Sequence, residues 1–190
     1  MEQQNKRTHH KGVMGRLALT GFLVLGLNST SLMAEGLTPE VKAKVSEYQQ
    51  KLTQWSKNPE LVSAIKQMNS TSAPKINNSQ WKALGETDPA VMAFQTNKAG
   101  KILTGLQSDK SIGKLFLRDK NGNLVAGSKK PAIFNVSDRP AYVNAMRGKT
   151  WSSSKIKADP TTNLKSVQVS APVISEGKVI GVLHTSVIAK

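Results

Sequence analysis

The stretch Lys114-Leu115-Phe116-Leu117-Arg118-Asp119-Lys120-Asn121-Gly122-Asn123-Leu124-Val125-Ala126-Gly127 decides the architecture. Two short alternating segments, 114–118 and 123–127, flank Asp119-Lys120-Asn121-Gly122, and Asn-Gly is the strongest short hairpin signal. Working outward toward the C-terminus, a second hairpin is predicted from residues 167–174 and 178–188 around Ser175-Glu176-Gly177. Between the hairpins lie a loop with a short helix (128–149), a strand over 151–156 and a turn on Asp159-Pro160-Thr161-Thr162. Five strands joined by short connections imply antiparallel pairing.

Toward the N-terminus the periodicity is helical. Thr38-Pro39-Glu40 combines an N-cap hydroxyl, a proline at the first helical position and an acid in the first turn. Val41, Val45, Tyr48, Leu52 and Trp55 follow as one apolar stripe. Asn58-Pro59 interrupts the pattern, and a second helix carries Leu61, Val62, Ile65 and Met68. Ser79 is expected to cap a third helix with Trp81 and Leu84, and Asp88-Pro89 to start a fourth bearing Val91, Met92, Phe94, Ala99, Ile102 and Leu103. The fold class is α+β: a helical part (38–108) whose long N-terminal helices pack on a five-stranded antiparallel sheet (113–189). Residues 128–149 should cover the other sheet face and leave a pocket there. The first stripe packs on its own domain or forms a homodimer seam; its heptad pattern lasts barely two repeats, which favours the former.

The first residues carry Lys6, Arg7, Lys11 and Arg16 against one acid, Glu2, and then an eleven-residue apolar run, 17–27. That run is about half of the roughly 20 residues a membrane-crossing helix needs, and Ala34 supplies a small residue before a cut ahead of Glu35. Residues 1–34 therefore read as a cleavable signal peptide and 35–190 as one periplasmic domain. Cleavage removes four cations and one acid, so the mature chain keeps +12 of the +15 net charge. With no cysteine, the chain has no disulfide, no lipid-anchored cysteine and no thiolate metal site. The cations are spread along the chain, which points to a solvated basic surface attracting small anions or anionic headgroups rather than to nucleic acid.

Several segments together resemble the Cache (PDC) family of extracytoplasmic PAS-like sensor domains. They are the hairpin from Phe116 to Ala126, the Ser137-Asp138-Arg139-Pro140-Ala141-Tyr142 segment before a short helix, and Gly148-Lys149. Asp159-Pro160-Thr161-Thr162, Val169-Ser170-Ala171-Pro172-Val173 and Gly177-Lys178-Val179-Ile180-Gly181-Val182-Leu183 complete the set. The resemblance spans residues 38–190. It implies a single, standalone Cache unit with a long helix behind a five-stranded sheet and a ligand site under a lid on the opposite face. Domains of this family usually sit between two membrane helices of chemoreceptors, histidine kinases or cyclic-di-nucleotide enzymes. This chain ends at Lys190, directly after the last predicted strand. The expectation is that it hands its state to a separate inner-membrane receptor, kinase or cyclase, or sequesters a ligand.

Candidate ligand-binding residues on the lid and the strands facing it are Arg139, Tyr142, Trp151, Ser153, Asp159, Phe134 and Arg147. Arg139 offers a planar fork to a carboxylate, or else pairs with Asp138 or Asp119. Tyr142 and Trp151 supply flat apolar walls with a polar handle. Asp159 is able to receive a ligand ammonium, although a following proline points to turn initiation, and Arg147 also suits a helix C-terminus. The family's carboxylate pattern places Arg one residue before Tyr-Phe; here Pro140-Ala141 intervene and Val143 replaces the Phe.

A Ser-His-Asp hydrolase built on Ser170, His184 and Asp159 lacks a nucleophile-elbow motif. The mature chain holds one histidine, which argues against zinc, and no glycine-rich phosphate loop opens a helix. The expected function is non-enzymatic and cofactor-free: a periplasmic module that senses a small organic molecule, a carboxylate or an amino acid, and relays that state to a membrane partner. The alternative is a ligand-free protein docking on an envelope receptor or lipid surface.

Overall fold

The computed structural model describes residues 36–72 and 76–189. The signal peptide expected at residues 1–34 lies outside them. Five helices come first: α1 (Pro39–Trp55), α2 (Pro59–Ser70), α3 (Asn78–Ala83), α4 (Pro89–Thr96) and α5 (Lys98–Leu106). The strands β1 (Ile112–Arg118) and β2 (Leu124–Gly127), the helix α6 (Pro140–Met146), and β3 (Trp151–Ser152), β4 (Lys157–Ala158), β5 (Lys165–Ser175) and β6 (Lys178–Ile188) follow. Among the described residues no helix is long and apolar enough to cross a membrane.

The helix starts follow the local chemistry. Thr38, Asn58 and Asp88 each accept a backbone N–H of the first turn, and each is followed by proline. Two expectations are corrected. Asn77, not Ser79, caps α3, in a reciprocal capping box with Gln80. The predicted fourth helix is two helices, because Asn97 ends α4 and caps α5 by accepting the Gly100 N–H at 2.7 Å, while its side-chain amide donates to the Val125 carbonyl at 3.1 Å.

The sheet is antiparallel, in the order β2-β1-β6-β5-β3, with β4 also paired to β5. It holds six strands rather than the predicted five. The predicted strand over 151–156 is broken: Trp151 pairs with Ser170, Lys157 pairs with Ser166, and the two short strands share one edge of β5. Across the break Gly36 forms an antiparallel bridge with Lys155. The β1–β2 turn has Gly122 at φ 83°, and the β5–β6 turn has Glu176 at 52° and Gly177 at 72°.

Side chains alternate across the strands. Leu115, Leu117, Val167, Val169, Ala171, Val173, Leu183 and Val187 face Val41, Val45, Tyr48, Leu52, Leu61 and Ile65 of α1 and α2 in the main core. The α1 stripe is thus buried within the chain's own domain. A second cluster of Trp81, Val91, Phe116, Leu124 and Phe134 joins α3 and α4 to the opposite sheet face. It also pins residues 128–149: the Trp81 indole N–H donates to the Pro131 carbonyl at 2.7 Å. Asn135 ties the same segment to the β1–β2 turn, donating to the Asn121 carbonyl and to Asn123 Oδ1.

Candidate functional site

Beneath that segment lies a cavity of about 260 Å³. Its floor is the second face of the sheet, with Lys114, Phe116 and Arg118 from β1, Gln168 from β5, and Val182 and His184 from β6. The strand register places Phe116 beside His184 and Arg118 beside Val182. Pro131, Ile133, Val136, Arg139 and Tyr142 close the top, and Trp151, Lys157 and Thr161 form the side near the sheet edge.

The floor is polar and tightly connected. Lys114 Nζ lies 2.5 Å from Asp159 Oδ2, with both side chains almost fully buried. Asp159 also accepts the Thr161 and Thr162 N–H groups at 2.9 and 3.0 Å and the Gln168 side-chain amide at 2.8 Å. Because the Gln168 amide nitrogen points to Asp159, its oxygen faces His184 Nε2 at 2.7 Å. That orientation assigns the proton to Nε2 of a neutral imidazole. Burial, with the nearby charges of Lys114 and Arg118, pushes the His184 pKa well below its ordinary value. Burial opposes ionisation of Asp159, yet Lys114 and the hydrogen bonds it accepts outweigh burial and hold its carboxyl below the usual range. Burial likewise lowers Lys114, and Asp159 offsets only part of that.

Arg118 is the second buried cation. Its guanidinium donates to the Phe134 carbonyl and, at 3.2 Å, to the Ile133 carbonyl, and stacks over the Phe116 ring at 5.3 Å. Its Nε is buried without a hydrogen-bond partner among the described residues. Burial pulls its pKa down to about 9, against the opposing charge of Asp119, so it remains cationic at neutral pH.

Of the seven candidates, Arg139, Tyr142 and Trp151 meet at the cavity. Arg139 is half exposed and lies 3.4 Å from Asp138. Tyr142 donates to the Asp119 carbonyl at 3.3 Å, and burial raises its pKa to about 12. The other four are placed elsewhere. Phe134 is fully buried between Trp81 and Phe94, at ring separations of 5.2 and 5.6 Å. Ser153 bonds to Lys155 and to the Gln168 backbone in the break between β3 and β4. Arg147 is exposed at the end of α6. Asp159 stands behind the cavity wall, where its four hydrogen-bonding positions are taken.

The hydrolase arrangement is not assembled: Ser170 donates to the Ala141 carbonyl, His184 meets Gln168, and Asp159 is held by Lys114. Among the described residues no three His, Asp or Glu side chains group to hold a metal. The floor residues Lys114, Arg118 and Gln168 were not among the candidates, although Lys114 and Arg118 alternate with Leu115 and Leu117 in a strand whose apolar face packs on helices. That alternation was the available signal.

No family model matches the chain, and no curated protein matches it. Solved structures do. The sensor domain of the V. cholerae histidine kinase DctB aligns at a TM-score of 0.55 and 18% identity, covering 78% of this chain and 50% of that domain. The sensory domain of the Campylobacter jejuni chemoreceptor Tlp3 with isoleucine bound aligns at 0.43 and 17%, covering 80% and 64%. The ligand-binding domain of Mlp24 with asparagine aligns at 0.39 and 19%, covering 78% and 59%. The chain thus spans half the length of the DctB sensor-domain chain, and what it shares with it is the fold.

Proposed function

We propose that this protein is an exported, periplasmic sensory module that binds one small organic molecule beneath residues 128–149 and relays its occupancy to a membrane signalling protein. The observation that carries the reading is a covered cavity whose apolar walls enclose two buried cations on the sheet. Pockets that recognise small molecules combine an apolar lining with a few fixed polar groups. Holding a lysine and an arginine in the sheet floor carries a desolvation cost that an apolar sheet face would not incur. The convergence of Arg139, Tyr142 and Trp151 supports ligand binding over the ligand-free docking alternative, and the fold shared with a histidine-kinase sensor domain supports a signalling role.

The test is a thermal-shift screen of the purified protein against organic acids, amino acids, amines and purines. A ligand at 100 times its dissociation constant adds about 2.7 kcal/mol, which raises the melting point of a domain of this size by several degrees. A shift confined to one chemical class is expected. A flat screen across all four classes would overturn the reading.

A further inference from the structure

We infer that Lys114 is a built-in counter-ion which closes the site to amino acids and leaves Arg118 to select an organic anion that carries no ammonium group. This rests on the sensory reading above and narrows its ligand. A zwitterionic amino acid calls for a cation and an acceptor for its ammonium in the pocket, and a free carboxylate is the strongest such acceptor. The acid next to this cavity is Asp159, and it is saturated. A carboxylate has about four acceptor positions, and here they receive the Thr161 and Thr162 N–H groups, the Gln168 amide and the Lys114 ammonium. An incoming ammonium would have to displace Lys114 and strand a buried cation, which is strongly unfavourable.

The rest of the floor agrees with this assignment. Gln168 has both ends engaged, one on Asp159 and one on His184. The field of Lys114 and Arg118 that helps to keep His184 neutral opposes a second ammonium in the same space. The other acid close to the floor, Asp119, is turned to its own hairpin, where it accepts the Asn121 and Asn123 N–H groups at 2.8 Å and the Asn123 amide at 3.0 Å. What remains is a surplus of donors. Arg118 lines the cavity and its Nε is buried without a partner among the described residues; an orphaned buried donor on a charged group is costly unless a partner completes it. A carboxylate has only acceptors to offer and meets that need. The apolar walls from Pro131, Ile133, Val136 and Val182 suit a hydrocarbon body behind it.

The experiment uses pairs that differ only in the ammonium group: 3-methylbutanoate against L-valine, and 3-phenylpropanoate against L-phenylalanine, titrated calorimetrically into the wild type and into Lys114→Met. In the wild type the deaminated member of at least one pair should bind, at least tenfold more tightly than its amino acid. In Lys114→Met, where Asp159 is free, that preference should shrink or reverse. Lys114→Gln, which keeps a hydrogen bond to Asp159, replaces the methionine variant if the latter does not fold, and the wild-type comparison stands without either. An amino acid that binds the wild type as tightly as its deaminated partner overturns the counter-ion inference and leaves the sensory reading standing. A wild type that binds none of the four probes, or any class in the broader screen, removes both.

Discussion

The two faces of the sheet are made by the same strands and held to different rules. On the face toward α1 and α2, the buried alternate positions are mostly Leu, Val and Ala, with Thr185 among them, and their partners are apolar helix residues. On the face toward the cavity the intervening positions include Lys114, Arg118, Gln168, Ser170 and His184. Hydrophobic burial is non-directional and tolerates substitution by groups of similar size. Buried polar groups are satisfied as a set, and one missing partner leaves another group exposed to the full cost of desolvation. One face therefore stabilises the fold, while the other fixes a chemical pattern at some cost to stability.

The contrast is most sharply tested at Asp159. Asp159→Ala should destabilise the protein by about 3–5 kcal/mol, because it leaves Lys114 buried and uncompensated. Adding Lys114→Met should recover much of that loss, so a double-mutant cycle by urea unfolding should show strong coupling. Additive losses would mean that the two groups do not act as a pair.

A smaller effect is expected from acid. The folded state holds His184 neutral with a depressed pKa, whereas the unfolded chain takes up a proton near pH 6.5. Between those values the unfolded state binds more protons, so stability falls as the pH drops below about 6.5, by at most about 1.4 kcal/mol per pH unit. Melting curves from pH 7.5 to 5 should show this slope, and His184→Gln should flatten it. The least effect belongs to the helix-facing side, where Ile65→Val should cost about 0.5–1.5 kcal/mol and leave ligand binding by the folded protein unchanged. A loss of affinity in that variant would show that the two faces are not separable.

How far the sequence revealed this division depended on whether the signal was local. Hairpin turns at Gly122 and Gly177, the helix starts at Thr38 and Asp88, the interruption at Asn58-Pro59 and the α1 stripe are each written within a few residues, and each appears in the structure. Asn97 was hidden inside an apolar pattern because its work is tertiary: it reaches across to the Val125 carbonyl while capping α5. The break in the edge strand was likewise not local, since it needs Ser153 to bond to β5 and Gly36 to fill the gap. In the site, Tyr142, Arg139 and Trp151 were legible as lid and edge residues. Asp159 was recognised as a turn former with a spare carboxylate, but its partner Lys114 lies 45 positions earlier, and no sequence spacing connects the two.

The bridge between Gly36 and Lys155 gives the molecule a mechanical seam. The backbone leading into α1 is fastened to the sheet edge between Trp151 and Lys157, both of which border the cavity. A few ångströms of movement at that border would tug on the first turn of α1, the longest of the described helices, as a drawstring gathers cloth at a point remote from the hand.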